Sequence, residues 1–291
     1  MVSETHPPDG NGHLSGGATM GKFSWGYCSD PGEAREHNED FVSAKVATTP
    51  DDAWDRSPLF ALADGMGGHA AGEVASRVAV ETAIDTFVDA SPGSLPQMLR
   101  GAVRSANLAV SDAAMTEGRH GMGTTMLLAA LSGHEAVLAN VGDSRAYLLR
   151  GESCLQLTTD HSRVAEMVRM RMISPEQAAT HPARSQLTRT LGGDPFTQAD
   201  IVRQPISRAD VIVLCTDGLW DVTDHGALVA AAGRLANRDT ATARDMADQL
   251  VSQAITRGAT DNVSAVVIHI TSDLPIPPAG RRRLRFRRST S

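Results

Sequence analysis

Short apolar runs of strand length come in groups of two or three along this chain, and long helical blocks separate the groups. The runs cover residues 23–28, 41–47, 59–63, 124–130, 136–141, 146–149, 201–205, 211–215 and 263–270. Most are β-branched or alternating, and most are bounded by Gly, Asp or Pro. Helical periodicity covers 70–90, 96–116, 227–237 and 241–257. Val80, Ile84, Phe87 and Val88 recur at helical spacing in the first of these. Grouped strands with helices between the groups predict an α+β fold, with antiparallel sheets and helices packed outside them. Gly142-Asp143-Ser144-Arg145 joins two of the runs over a hairpin-length connection.

The segment 160–193 has another texture. Residues 162–172 read as a short amphipathic helix carrying Met167, Met170 and Met172, and Ser174-Pro175-Glu176 opens a second. Two short helices between strands predict a flap set on the main body, its methionines serving as packing. Residues 1–20, rich in Gly, Pro, Ser and His, read as a disordered leader. Residues 274–291 read as a disordered basic tail, through Pro275-Ile276-Pro277-Pro278 and the run Arg281-Arg282-Arg283-Leu284-Arg285-Phe286-Arg287-Arg288. A solvated tail is the plain reading; a weak, salt-sensitive hook for acidic surfaces is the sharper one. The body, 21–273, is expected to be one domain.

With 291 residues and 41% hydrophobic content, the chain can bury a sizeable core. Its net charge of -7 gives no nucleic-acid footprint over the whole chain. Cys28, Cys154 and Cys215 are odd in number and widely spaced, which argues for a reducing compartment. No window has the apolar length of a membrane helix, and the N-terminus holds no signal-peptide core. The expectation is a cytoplasmic protein with no integral membrane segment.

Three of the apolar runs meet an aspartate beside a glycine or asparagine: Asp64-Gly65, Asp217-Gly218 and, before its strand, Asp261-Asn262. Taken singly, Asp-Gly is a common turn. Taken jointly, carboxylates at the ends of buried strands make one rim of a hard-cation site. Asn38-Glu39-Asp40 adds two adjacent carboxylates before a strand, and alternation lets only one of them face a metal directly. Arg35, five residues before Asp40, is a candidate fork for a phosphate dianion. Gly65 lies in a glycine-dense turn where a backbone carbonyl can approach a cation.

Competing chemistries fail on spacing. No cysteine has an arginine six positions on: Ala34, Asp160 and Asp221 stand there. There is no Walker A pattern. Gly121-Met122-Gly123-Thr124-Thr125 lacks the third glycine of a dinucleotide loop and precedes a strand. No zinc-finger spacing and no His-Glu-x-x-His occur.

The ordered set Arg35-Glu36-His37-Asn38-Glu39-Asp40, Ala63-Asp64-Gly65-Met66-Gly67-Gly68, Gly121-Met122-Gly123-Thr124-Thr125, Gly142-Asp143-Ser144-Arg145, Thr216-Asp217-Gly218 and Asp261-Asn262 resembles the metal-dependent protein phosphatases, the protein phosphatase 2C family. The bacterial branch matches best, through Asp-Gly-Met-Gly-Gly and a flap ending Thr188-Arg189-Thr190-Leu191-Gly192. The resemblance covers about residues 23–271. It implies a four-layer αββα sandwich, two antiparallel sheets flanked by helix pairs, with two Mn²⁺ or Mg²⁺ ions at one end. It implies hydrolysis of phosphoserine and phosphothreonine in proteins by a metal-activated water, with protein kinases and their substrates as partners. Asp64 looks like the carboxylate bridging both metals and Gly65 like a carbonyl ligand. Asp217 and Asp261 look like ligands of the second ion, and Glu39 and Asp40 like outer ligands acting through water. Asp143, with Asp217, matches a third, weaker site of bacterial members. Arg35 resembles the phosphate grip and Asn262 a support behind the ligands.

Two departures stand out. Many eukaryotic members place a proton-donating His where Met66 stands; water, His69 or His37 are left for that role. The flap of the family usually carries a glycine near Arg171. Two alternatives share the fold: an inactive phosphoprotein-binding module, and a phosphatase of a regulatory protein in a partner-switching cascade.

Overall fold

A computed structural model describes residues 2–3, 13–46, 57–67, 71–91, 93–236 and 242–273. Two antiparallel sheets lie face to face. The first runs in the order β1 (Val2–Ser3), β4 (Asp40–Val46), β5 (Leu59–Met66), β7 (Met126–Ser132), β8 (Glu135–Val141), β11 (Asp200–Pro205), with β6 (Gly123–Thr124) paired to β5. The second runs β10 (Ser153–Gln156), β9 (Arg145–Arg150), β12 (Val211–Cys215), β13 (Val263–Ile270), β3 (Phe23–Asp30), β2 (Leu14–Met20).

The central strands of each sheet are buried on both faces, which is why they read as continuous apolar runs. Strict alternation sorts them. Phe60 and Leu62 of β5, with Leu127 and Ala129 of β7, point inward to meet Trp25, Ile212, Leu214 and Ile268 of the other sheet. Leu59, Ala61 and Ala63 point outward to α1 (Ala71–Asp89) and α2 (Leu95–Ala114). Val211, Val213, Cys215 and Val267 point outward to α6 (His225–Ala236) and α7 (Ala243–Thr256). The result is four layers, helix pair, sheet, sheet, helix pair, as the resemblance implied.

The glycine-rich N-terminal segment is not wholly a leader. Leu14–Met20 is an edge strand paired along β3. Its glycines, read as a sign of disorder, are what allows the pairing. A Cβ on Gly16 would lie 2.7 Å from the Tyr27 hydroxyl, and Ser15 donates its hydroxyl proton to Asp248 of α7. Leu14 is buried.

The connection 142–145 is not a hairpin either. β8 belongs to the first sheet and β9 to the second, so Gly142-Asp143-Ser144 is a crossing between sheets. Gly142 has φ +103, and a Cβ there would lie 2.6 Å from Thr125 Cγ2; only glycine fits. The predicted run 124–130 is broken at Thr125, which separates β6 from β7 and accepts the Asp64 amide on its hydroxyl.

The flap carries α3 (Arg163–Arg169) and α4 (Pro175–Ala179). Ser162 caps α3, and Ser174 with Gln177 forms a capping box on α4. Its two roots are held together, Ser162 bridging to Leu187 and the Arg163 amide donating to Gln186. No helix among the described residues is long and apolar enough to cross a membrane. The basic tail, His69 and residues 4–12 lie outside the described residues.

Candidate metal centre

Antiparallel topology gathers the acidic strand ends. β4 begins, and β5, β8 and β12 end, at the same rim, where β13 also begins. Asp40, Asp64, Asp143, Asp217 and Asp261 therefore arrive from five separate places in the sequence. Asp40 and Asp64 are direct partners across β4 and β5. Partners across an antiparallel pair point to one face with Cβ atoms about 5 Å apart, and like charges so placed repel. Asp143 sits on the crossing between sheets. Asp217 opens α5 (Asp217–Trp220), the turn after β12.

Asp40, Asp64 and Asp143 are built in, while Asp261 is over a third exposed. Asp40 is buried and accepts the Thr216 hydroxyl at 2.8 Å. The Asp64 backbone is clamped by Thr125 and Thr124: its amide donates to Thr125 Oγ1 at 2.9 Å, and its carbonyl accepts Thr125 N–H and Thr124 Oγ1–H at 2.8 Å each. Asp143 is buried, and its carbonyl accepts the Trp220 indole N–H at 3.1 Å. Gly65 leaves no room for a side chain: a Cβ there would lie 2.6 Å from the Glu39 carbonyl oxygen.

Burial and mutual repulsion make this rim costly for charge. Desolvation first, then the Asp40, Asp217, Asp143 and Asp261 charges, push Asp64 well above the usual carboxylate range. Asp40 and Asp143 are raised to about 7 and Asp217 to about 6, burial leading in each case. An all-oxygen, buried, self-repelling donor set fits a hard cation. Among the described residues, no three of these side chains are drawn in tightly enough to hold an ion as they stand. One reason is visible: Asp261 Oδ2 is turned to Arg35 Nη2 at 2.7 Å.

Arg35 thus stands at the rim, half-exposed and paired with Asp261. Glu39 is not on the Asp64 face. It packs against the start of α1, accepting the Gly72 N–H; desolvation raises its pKa and Arg35 draws it back down. Asn262 uses its whole amide group. Oδ1 accepts the Glu39 amide at 2.8 Å, and Nδ2 donates to the Pro31 and His37 carbonyls at 3.0 and 2.9 Å. It ties the loop bearing Arg35 and Glu39 to the start of β13. Met66 is half-buried and His37 exposed.

Trp220 and His161 were not singled out from the sequence, and Thr216 and Arg145 were quoted only as motif neighbours of Asp217 and Asp143. Arg145 grips Asp160 with Nε and Nη2, and its guanidinium lies 3.5 Å from the centre of the Trp220 ring. The sequence signal was a charge at the head of an apolar run. Beside Asp143 and Asp217, Arg145, Trp220, Asp160 and the flap line an open cavity of about 690 Å³.

Comparison with known proteins agrees with this architecture. The sequence profile of Protein phosphatase 2C matches residues 31–263. A Serine/threonine phosphatase stp of Listeria innocua is 33% identical over 245 residues, covering 82% of this chain and 93% of that protein. The structure of Staphylococcus aureus serine/threonine phosphatase Stp1 superposes with a TM-score of 0.75 at 30% identity, covering 89% of this chain and 98% of that one. The catalytic domain of the serine/threonine protein phosphatase PstP in complex with two manganese ions superposes at 0.73 with 32% identity, covering 86% and 99%. With its motifs in order, its carboxylates on one rim and its four layers in register with these relatives, the chain belongs to the protein phosphatase 2C family.

Proposed function

We propose that this serine/threonine phosphatase hydrolyses phosphoserine and phosphothreonine in proteins at a centre of two Mn²⁺ or Mg²⁺ ions, with a third, weaker site at Asp143 and Asp217. The observation that carries the reading is Asp40 opposite Asp64, with Asp143, Asp217 and Asp261 on the same rim. Asp64, the Gly65 carbonyl, Asp217 and Asp261 would hold the ions, with Asp40 and Glu39 contributing through water. Bound there, the cations supply charge neutralisation and Lewis-acid activation of water as the nucleophile.

The chain's own groups do the rest. Arg35 leaves Asp261 to take the substrate's phosphoryl oxygens, which frees the Asp261 carboxylate for its ligand role. Asn262 keeps Arg35 and Glu39 in register with Asp261. The cysteines are not placed for a covalent intermediate. Cys28 and Cys215 are buried, burial raises both thiols far above neutrality, and Cys154, half-buried on the edge strand β10, is raised by burial as well. Met66 has no proton to give, so the leaving alkoxide takes one from water, His37 or His69. The acidic rim disfavours an inactive binding module, whose carboxylates would be free to drift. Substrates are phosphoproteins of kinase signalling in the cytoplasm; a partner-switching regulator would use the same chemistry.

The test is phosphate release from a phosphothreonine peptide in Mn²⁺. EDTA should abolish it, and Asp64→Asn should lower kcat by on the order of 10³ or more. Arg35→Ala should chiefly raise KM, by about tenfold. Full activity of Asp64→Asn, or activity indifferent to EDTA, would sink the mechanism.

A further inference from the structure

We propose that His161 is a positioning residue whose Nδ1 clips the backbone of Gly142 and so sets the loop that carries Asp143. The clip stands on geometry alone; its consequence for metal binding rests on the reading of Asp143 as a ligand.

Two hydrogen bonds run in opposite directions between these residues. Gly142 N–H donates to His161 Nδ1 at 3.1 Å, and His161 N–H donates to the Gly142 carbonyl at 2.9 Å. That carbonyl also accepts Asn140 Nδ2 at 3.3 Å. On the other side of Gly142 stands Thr125, too close for any Cβ. Thr125 holds the Asp64 amide and shares a hydrogen with Ser144 Oγ at 2.8 Å. The crossing is therefore gripped between the flap root and the Asp64 clamp. One residue on, the Asp143 carbonyl is held by Trp220. Both backbone flanks of Asp143 are pinned, one of them by His161.

A ring nitrogen that accepts an N–H must be unprotonated, so the hydrogen of neutral His161 belongs on Nε2. Nε2 faces two groups, Asp200 Oδ2 at 3.2 Å and Arg189 Nη1 at 3.3 Å. With the hydrogen on Nε2, it donates to Asp200, and Arg189 spends its own hydrogens on that carboxylate. Arg189 reaches the other oxygen of the same carboxylate at 2.9 Å. The ring is buried, and burial lowers its pKa, which favours the neutral form the clip needs. The His161 carbonyl in turn accepts the Thr188 amide at 2.8 Å, joining both roots of the flap. One imidazole thus links flap, β11 and the Asp143 crossing.

Two substitutions separate these contacts. His161→Asn keeps an acceptor at the place of Nδ1 and loses Asp200. His161→Gln reaches toward Asp200 and leaves Gly142 without its acceptor. In metal-free protein the Gly142 amide should exchange about tenfold faster in His161→Gln and within about threefold of wild type in His161→Asn. In Mn²⁺ titrations the weakest site should weaken about tenfold in His161→Gln and be retained in His161→Asn. Equal exchange in the two variants would overturn the clip. An unchanged isotherm in His161→Gln, with the weak site lost in Asp143→Asn, would overturn the positioning role. An isotherm unchanged in Asp143→Asn would instead overturn the ligand reading, and the metal half of the proposal with it.

Discussion

Asp40 and Asp64 face one another across β4 and β5, and that pair says most about the molecule. Burial is the first cost for each; Asp64 is then raised further by Asp40, and Asp40 by Asp217 and Asp261. A protein keeps such a pair when something binds to it. Asp64→Asn should therefore abolish turnover while making the metal-free protein more stable, by about 1 kcal/mol, because one buried charge and one repulsion vanish. Urea unfolding in EDTA measures this; a less stable variant would contradict it. At this scale the sequence was informative where residues came in ordered motifs. Asp64, Gly65, Asp217 and Asp261 could be picked out of their motifs as candidates, and their ligand roles remain the proposal above. His161 could not be assigned a role, because a lone imidazole has no spacing to read, and Thr216 appeared only as the neighbour of Asp217. Even the Arg35–Asp261 pair joins residues 226 positions apart.

At the scale of elements, Arg171 shows how a departure from the family pattern acquires a physical meaning. It has φ +58, the left-handed region, just past α3. The Met172 amide donates to the Met167 carbonyl at 2.8 Å and the Arg171 amide to Val168 at 2.9 Å. This pair of bonds is a Schellman ending, whose left-handed residue is usually glycine. Arginine there is strained by roughly 1 kcal/mol. Arg171→Gly should relieve this and slow hydrogen exchange of the α3 amides by about threefold, with turnover conditions otherwise unchanged; faster exchange would contradict the account. Strands buried on both faces were legible as apolar runs, and helices by their period. β2 was not, because Gly16 and Gly17 signal disorder in a sequence and close packing in a sheet. The 142–145 crossing looked like a hairpin because connection length cannot say which sheet the next strand joins.

For the whole molecule, the acidic rim couples stability to pH. Asp40, Asp143 and Asp217 titrate near 7, 7 and 6 when folded, against about 3.9 in the unfolded chain. Between roughly pH 4 and 7 the folded protein holds protons that the unfolded chain has released, so stability falls as pH rises through that window. Lowered His161 opposes this, one group against several. Metal-free protein should thus melt lower at pH 8 than near pH 5.5, and Mn²⁺ should recover the loss at pH 8, since a ligand of the folded state alone stabilises it. A melting temperature that rises with pH in EDTA would contradict the electrostatic reading.

The central claim is that the rim of Asp40, Asp64, Asp143, Asp217 and Asp261 is a divalent-cation site. Calorimetric titration of Mn²⁺ into the metal-free protein tests it most directly. The account predicts at least two bound ions for the wild type and loss of the tight binding in Asp64→Asn. Equal binding by the two proteins, or none by the wild type, would contradict it.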